Sequence, residues 1–472
     1  MDIRTLSRRG VLAAAGLALP AAAFAQTAGP FRFRGWRGQE VDAERGVFEV
    51  PEDRRDPKSR RIPVSYVRFR STAARPGHPI VYLAGGPGGT GSGTATGPRF
   101  PIFLALREVA DVIAFDQRGT GANGRIPRRP TPKGPLPPLT REGLTAATRA
   151  EAQGAWADWT KAGVAMRGYN TDDSADDLED LRVHLGAEKI HLWGISYGSH
   201  LALAALRRHG DRIGDVVLAS LEGQDQTVKR PARIDGYLDR VDRLLAADRD
   251  VRAAVPDLPA LMRRVHARLE ADPATITRPD GTTFRLGGFA MQMTAGALIK
   301  NPDTLAMIPR LYVGLDGGRT EVLAPLIGAL GAPITVDGMP TAMDLASGVS
   351  RGRLAMVERE AKTAVLGDAL NFPMPHLLGA IPGMDLGDDF RRPIRIPHRA
   401  LLIAGSLDGR TPLAEQAEVA AQFRNKAQVL VENAGHDVFE SHPEVGPLIV
   451  RFFRGERVGD TRLSLPPPKF RV

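Results

Sequence analysis

The sequence predicts an open, mainly parallel α/β sheet with a helical insertion laid over it. Three observations point there. Short apolar runs of the buried-strand type recur along the chain. Helical patterns separate them, and one long late stretch loses the strand signal altogether. At 472 residues and 43% hydrophobic content, the chain has ample apolar surface to bury a large core.

The first residues, MDIRTLSRRGVLAAAGLALPAAAFAQ, combine a basic start, an apolar run from Val11 to Leu19 and the small-residue ending Ala23-Phe24-Ala25. That is the pattern of a signal peptide over residues 1–25, cleaved before Gln26. Ser7-Arg8-Arg9-Gly10-Val11-Leu12 is similar to a twin-arginine export signal, so the expected compartment is periplasmic or extracellular. Pro20 interrupts an apolar run already short for a membrane span, which argues against an uncleaved anchor and for a chain with no stable membrane insertion after cleavage.

Residues 26–222 form the first part of the predicted sheet. Arg61 to Arg70 alternates with the period of a strand, and Pro79 to Ala84, Asp111 to Asp116, Lys189 to Trp193 and Asp215 to Ala219 are short apolar strands. Asp172 to Leu185 opens with acids suited to a helix N-terminus, and Ser199 to Arg208 is a helix rich in Ala and Leu. Six prolines among the thirteen residues 126–138 predict an exposed loop. Residues 223–395 have helical periodicity and few strand signals, so they are expected to form a helical cap over the sheet. Residues 396–472 return to it with the strands Arg399 to Ala404 and Ala427 to Val431. In such sheets function sits beyond the carboxyl ends of the strands.

Composition removes several chemistries. No cysteine means no disulfide, thiol nucleophile, iron-sulfur cluster or Cys-type zinc site. Lys+Arg 63 against Asp+Glu 54 gives +9, but only nine of the basic residues are Lys, a compositional Arg bias rather than a nucleic-acid surface. There is no H-E-x-x-H and no Walker lysine motif, and no metal or cofactor is expected.

The turns after the strands carry the chemistry. Gly194-Ile195-Ser196-Tyr197-Gly198 matches G-x-S-x-G, a sharp strand-to-helix turn that lifts a serine hydroxyl above a sheet. A second copy, Gly348-Val349-Ser350-Arg351-Gly352, follows no buried strand and reads as a turn within the cap. A nucleophilic serine needs a base, and the base needs an acid to fix its tautomer. Asp408 follows the strand ending at Ala404, and His436 follows the one ending at Val431, in the order Ser, Asp, His. His442 and Asp437 compete less well, since His442 lies farther from a strand end and Asp437 adjoins the base rather than facing it.

Gly85-Gly86-Pro87-Gly88-Gly89 follows another strand end, where an oxyanion hole is expected, with the N–H groups of Gly86 and Tyr197 as its donors. Gly86 to Gly91 also fits the G-x-G-x-x-G dinucleotide fingerprint, with Asp116 ending the next strand. Gly93, Gly97, Pro98 and Pro101 argue that no helix starts after Gly91 to receive a pyrophosphate.

Taken together, GGPGG, Asp116-Gln117-Arg118-Gly119-Thr120-Gly121, GISYG, SLDGRTP and NAGHD resemble the proline iminopeptidase and tripeptidyl aminopeptidase branch of the α/β-hydrolases. The resemblance covers roughly residues 40–222 and 396–460, and it implies the α/β-hydrolase fold with a helical cap. It implies Ser196 as nucleophile, Asp408 and His436 as its partners, and Gly86 with Tyr197 as oxyanion hole. Ala84 stands where the glycine motif often opens with His, and the cysteines of some secreted relatives are absent. The activity implied is release of N-terminal residues or short peptides through an acyl-enzyme, with a carboxylesterase acting on small esters as the alternative. An aminopeptidase must meet a desolvated ammonium with an acid. Glu222 and Asp225, where the sheet passes into the cap, are the candidates.

Overall fold

The computed structural model describes residues 28–472 apart from 123, 131–136, 279–280 and 331–333. Residues 1–25, the expected signal peptide, lie outside the described residues, as does part of the proline-rich stretch. Ten strands form one sheet: β1 (Gly29–Arg34), β2 (Glu40–Pro51), β3 (Arg61–Phe69), β4 (Ile80–Leu83), β5 (Val112–Phe115), β6 (Ile190–Ile195), β7 (Ile213–Ala219), β10 (Ile396–Gly405), β11 (Phe423–Glu432) and β12 (Thr461–Ser464). The remaining two, β8 (Ala274–Thr277) and β9 (Thr283–Leu286), make a separate antiparallel hairpin.

The order across the sheet is β1-β2-β3-β5-β4-β6-β7-β10-β11-β12. The seven strands from β5 to β12 run parallel, while β1, β2 and β3 add an antiparallel edge. All the strands expected from the sequence are present. Four elements come without a local sequence signal: β1, β2, β12 and the hairpin. In β2 the inward residues Ala43, Phe48 and Val50 alternate with Asp42, Glu44 and Glu49, so no continuous apolar run marks it.

Both faces of the central parallel strands β5, β4, β6 and β7 are largely buried, and the strand period decides which face each side chain meets. Val81, Leu83, Ile113, Leu192, Val216 and Leu218 point to the layer holding the helices Thr171–His184 and Tyr197–His209. Their neighbours Ile80, Tyr82, Val112, Trp193 and Val217 point to the opposite layer, closed by the helices Phe100–Leu106 and Val445–Phe453. Each such side chain contributes about 1.5–3 kcal/mol of transfer free energy.

Between β7 and β10 the chain is helical apart from the β8–β9 hairpin, and much of it packs into a third apolar cluster around Leu238, Leu258, Met262, Met291 and Tyr312. That cluster is not built from this stretch alone. Leu139, which bridges to Leu286 of β9, and Leu144, on the helix Arg141–Lys161, belong to it too. The C-terminal Phe470 packs against it as well.

A buried charge cluster ties the loop after β5 to the rest of the sheet. The fully buried Arg118 donates to Asp177 at 2.7 and 2.5 Å, to the carbonyl of Gly168 at 2.6 Å and to that of Glu52 at 2.9 Å. Arg54 reaches the same Asp177 at 2.6 Å. Removing one partner of a buried pair leaves an uncompensated charge. Arg118→Met is therefore expected to lower unfolding stability by about 3–5 kcal/mol. Urea denaturation checks this, and a loss near zero would show the cluster to be dispensable.

Candidate active site

Ser196 follows the last residue of β6 and precedes the helix Tyr197–His209. Its φ of 56° and ψ of −127° lie outside the regions that L-residues favour, a strained turn that the surroundings must hold. They do so by close main-chain approach. A Cβ on Gly198 would lie 2.1 Å from the Leu83 carbonyl oxygen, and one on Gly194 would lie 2.8 Å from that of Gly198. The Ser196 N–H donates to the Ala219 carbonyl at 3.0 Å. The Tyr197 ring turns away into the core, its hydroxyl near Thr171 and Met343. As the first helical residue, its N–H has no acceptor within the helix.

Asp408 and His436 occupy the loops after β10 and β11. The Nδ1 of His436 lies 2.9 and 3.0 Å from the two carboxylate oxygens of Asp408, and both residues are buried. A carboxylate only accepts, so Nδ1–H is the donor of this pair and Nε2 takes no part in it. Asp408 also accepts from the N–H groups of Arg410 and Thr411, both at 2.9 Å, and from the Thr411 hydroxyl at 2.7 Å. Burial pushes its carboxyl up, but His436 and the Thr411 donors outweigh that and hold it below its ordinary value. The backbone of His436 is fixed by its N–H on the Lys300 carbonyl at 2.9 Å and by the Ser220 hydroxyl on its own carbonyl at 2.8 Å.

The competing residues are engaged elsewhere. Asp437 pairs with Lys300 at 3.2 Å and accepts from Asn301 at 2.8 Å; burial pushes it up, yet Lys300 and His436 bring it to about 2. His442 lines a different groove, beside Pro443 and Arg454.

The glycine loop packs directly onto the serine turn. A Cβ on Gly85 would lie 3.0 Å from the Ile195 carbonyl oxygen and 3.1 Å from the Ser196 Cβ. Gly86 takes φ +129°, a conformation that side chains disfavour, and Gly89 N–H closes the turn on the Gly85 carbonyl at 3.1 Å. One expectation is corrected here: a helix does start at Gly91, running to Ala95. Thr90 caps it by accepting from Gly93 N–H, and the Asp116 carboxylate accepts from Ser92 N–H at 2.9 Å and from its hydroxyl at 2.8 Å. The acid that a dinucleotide ribose would need is thus engaged at that helix end.

Ser196, Gly86 and His436 open into one cavity of about 460 Å³ under the cap. Glu222 lines it, with its carboxylate 3.1 Å from the Lys229 ammonium, and both side chains are buried. Burial raises the Glu222 carboxyl, but Lys229 and His200 bring it below its usual value. Asp225 does not line the cavity. It accepts from the N–H and hydroxyl of Ser350 at 2.7 and 2.6 Å, helping Ser350 cap the helix Arg351–Ala361. The second G-x-S-x-G serine is thus a helix cap, in keeping with its expected place in the cap.

Three cavity residues escaped the sequence reading. Asp344, on the helix Gly338–Ser347, is pushed up to about 7 by burial and then by Glu222, against the pull of Lys229 and Arg410. Lys229 is positioned by Asn371, whose side chain bonds both its N–H and its carbonyl at 2.7 Å. Arg410 follows Asp408 by two residues. Only Arg410 had a local signal, its place in SLDGRTP. Among the described residues no cluster of three or more His, Asp or Glu side chains is arranged to hold a metal ion, and no helix is long and apolar enough to cross a membrane.

Comparison with known proteins finds relatives over parts of the chain. The tripeptidyl aminopeptidase of Streptomyces lividans is 26% identical over 192 residues, which are 37% of this chain and 35% of that protein. The proline iminopeptidase of Arabidopsis thaliana is 29% identical over 145 residues, 31% of this chain and 27% of the relative. A probable proline iminopeptidase of Leptolyngbya boryana is 25% identical over 289 residues, 54% and 75% of the two chains. The first of these matches thus spans about a third of its relative's length. The sequence profile described as the alpha/beta hydrolase fold matches residues 78–443, and the chain belongs to that family.

Proposed function

We propose that the protein is a serine hydrolase that cleaves peptides with free N-termini through an acyl-enzyme on Ser196. The observation that carries it is the buried Asp408–His436 pair at the ends of β10 and β11, in a cavity shared with the strained serine at the end of β6. In this mechanism Nε2 of His436 takes the Ser196 proton as Oγ attacks the scissile carbonyl. The developing oxyanion meets the N–H groups of Gly86 and Tyr197. His436 returns the proton to the leaving amine, then activates the water that opens the acyl-enzyme. Asp408 holds the imidazole in one tautomer and stabilises the imidazolium that forms in each half-reaction.

The free N-terminus is supported by the aminopeptidase and iminopeptidase names of the relatives and by the acids in the cavity. Of these, Asp344 is the one without an ion-pair partner among the described residues, and it is the better ammonium acceptor. Glu222 already faces Lys229. That same pairing favours a second reading, a carboxylesterase of small esters, because it removes one acid from ammonium recognition. We also propose export through the twin-arginine route, on the strength of Arg8 and Arg9 alone.

Four outcomes are expected. Ser196→Ala abolishes labelling by a fluorophosphonate while Ser350→Ala retains it, and Asp408→Asn lowers kcat by about four orders of magnitude at little change in KM. Equal labelling loss in folded Ser196 and Ser350 variants would overturn the nucleophile. Acetylating the amine of a peptide substrate lowers kcat/KM strongly for the wild type; comparable rates on free and blocked amines would leave the esterase standing instead. Replacing Arg8 and Arg9 together by Lys blocks appearance of mature protein outside the cytoplasm, and undiminished export would point to the general secretory route.

A further inference from the structure

Four cationic side chains line the cavity, and three of them are neutralised within it or at its wall. Arg99 pairs with Glu440 at 2.7 Å, Lys229 with Glu222 at 3.1 Å and Lys300 with Asp437 at 3.2 Å. The fourth, Arg410, has no acidic partner within 4.0 Å among the described residues. Its polar contacts are two: its backbone N–H on Asp408 at 2.9 Å, and Nη1 on the Leu370 carbonyl at 3.0 Å. Nε and Nη2 remain available.

The position of this guanidinium is well fixed. The Asp408 contact anchors its main chain two residues from the acid that orients the base. A Cβ on the preceding Gly409 would lie 2.4 Å from the Ile299 carbonyl oxygen, so the loop is pressed against the cap. The Leu370 carbonyl holds one end of the fork. A planar fork secured at one nitrogen, with the others free, suits an oxyanion that accepts two hydrogen bonds. The acids nearby do not cancel its charge: Glu222 is matched by Lys229, and burial keeps Asp344 partly protonated near neutrality.

We infer that Arg410 is a specificity-determining residue that binds a carboxylate of the substrate beside Ser196 and His436. The inference rests on the hydrolytic reading of this cavity and narrows it to acidic substrates. The carboxylate is either a peptide C-terminus or an acidic side chain. With Asp344 available for an ammonium, a short zwitterionic peptide satisfies both unpaired charges of the cavity.

The test is calorimetric binding to the Ser196→Ala protein. One arm compares trialanine with trialaninamide, which isolates the C-terminal carboxylate. The other compares glutamyl-alaninamide with glutaminyl-alaninamide, which isolates the side chain. The acid of at least one arm is expected to bind between about tenfold and a hundredfold more tightly than its neutral partner. Adding Arg410→Gln abolishes that ratio, and Arg410→Lys keeps part of it. A merely structural role would weaken acids and neutral peptides alike and leave the ratio unchanged. Equal binding of acids and neutral analogues, no binding of any of the four, or a preference that survives Arg410→Gln overturns the proposal. Fluorophosphonate labelling of the wild type is scored separately. Acid binding without labelling would retain the Arg410 site and remove the hydrolase; labelling without acid preference would do the reverse.

Discussion

The site depends on main chains approaching one another at the carboxyl ends of the strands more closely than any side chain would permit. The Leu83 carbonyl of β4 touches the helix that follows Ser196 at Gly198, and the end of β10 meets the loop after β11, where a Cβ on Gly405 would lie 2.3 Å from the Gly435 carbonyl oxygen. The first contact sets the glycine loop against the serine. The second sets Asp408 against His436. Tight interior packing turns both into fixed distances, because a shift of one strand end has no void to move into. The chemistry therefore follows from where the backbone can go, and the side chains of the three proposed reacting groups are carried to their places by it.

Charge inside the cavity obeys a different rule. Groups removed from water interact more strongly with one another than they would at the surface, so most of them are matched one to one. Glu222 with Lys229 and Arg99 with Glu440 are of this kind. Asp344 and Arg410 are not, and the proximity of Glu222 raises Asp344 while Arg410 lowers it. A site with matched charges is inert toward charged ligands, whereas two unmatched groups of opposite sign describe a ligand by what they lack.

Much of this was legible in the sequence wherever a local pattern carried it. The central parallel strands are short and buried on both faces, so each is a plain apolar run, and Ser196, Asp408 and His436 follow apolar runs in turns with distinctive residues. Patterns fail where a residue's role is decided by distant neighbours. Asp225 and Glu222 look alike from their position after β7, yet one caps a helix through Ser350 and the other meets Lys229 in the cavity. Asp344 lies on a cap helix with nothing in its surroundings to set it apart. The helix at Gly91 was hidden for a related reason: glycines argued against it, but the caps from Thr90 and Asp116 offset their cost.

The composite build of the apolar cluster under the cap bears on how such a protein can change over time or at the bench. Because Leu139 and Leu144 come from before β6, Leu407 from the loop after β10 and Phe470 from the extreme C-terminus, this cluster is assembled from four separate lengths of chain. Swapping residues 223–395 for those of a cousin would leave three foreign seams in its apolar interior. Modular exchange of substrate preference, which a single insertion would invite, is thus closed to this architecture unless the helix Arg141–Lys161 and the tail travel with it. Divergence is steered instead toward single residues on the cavity wall.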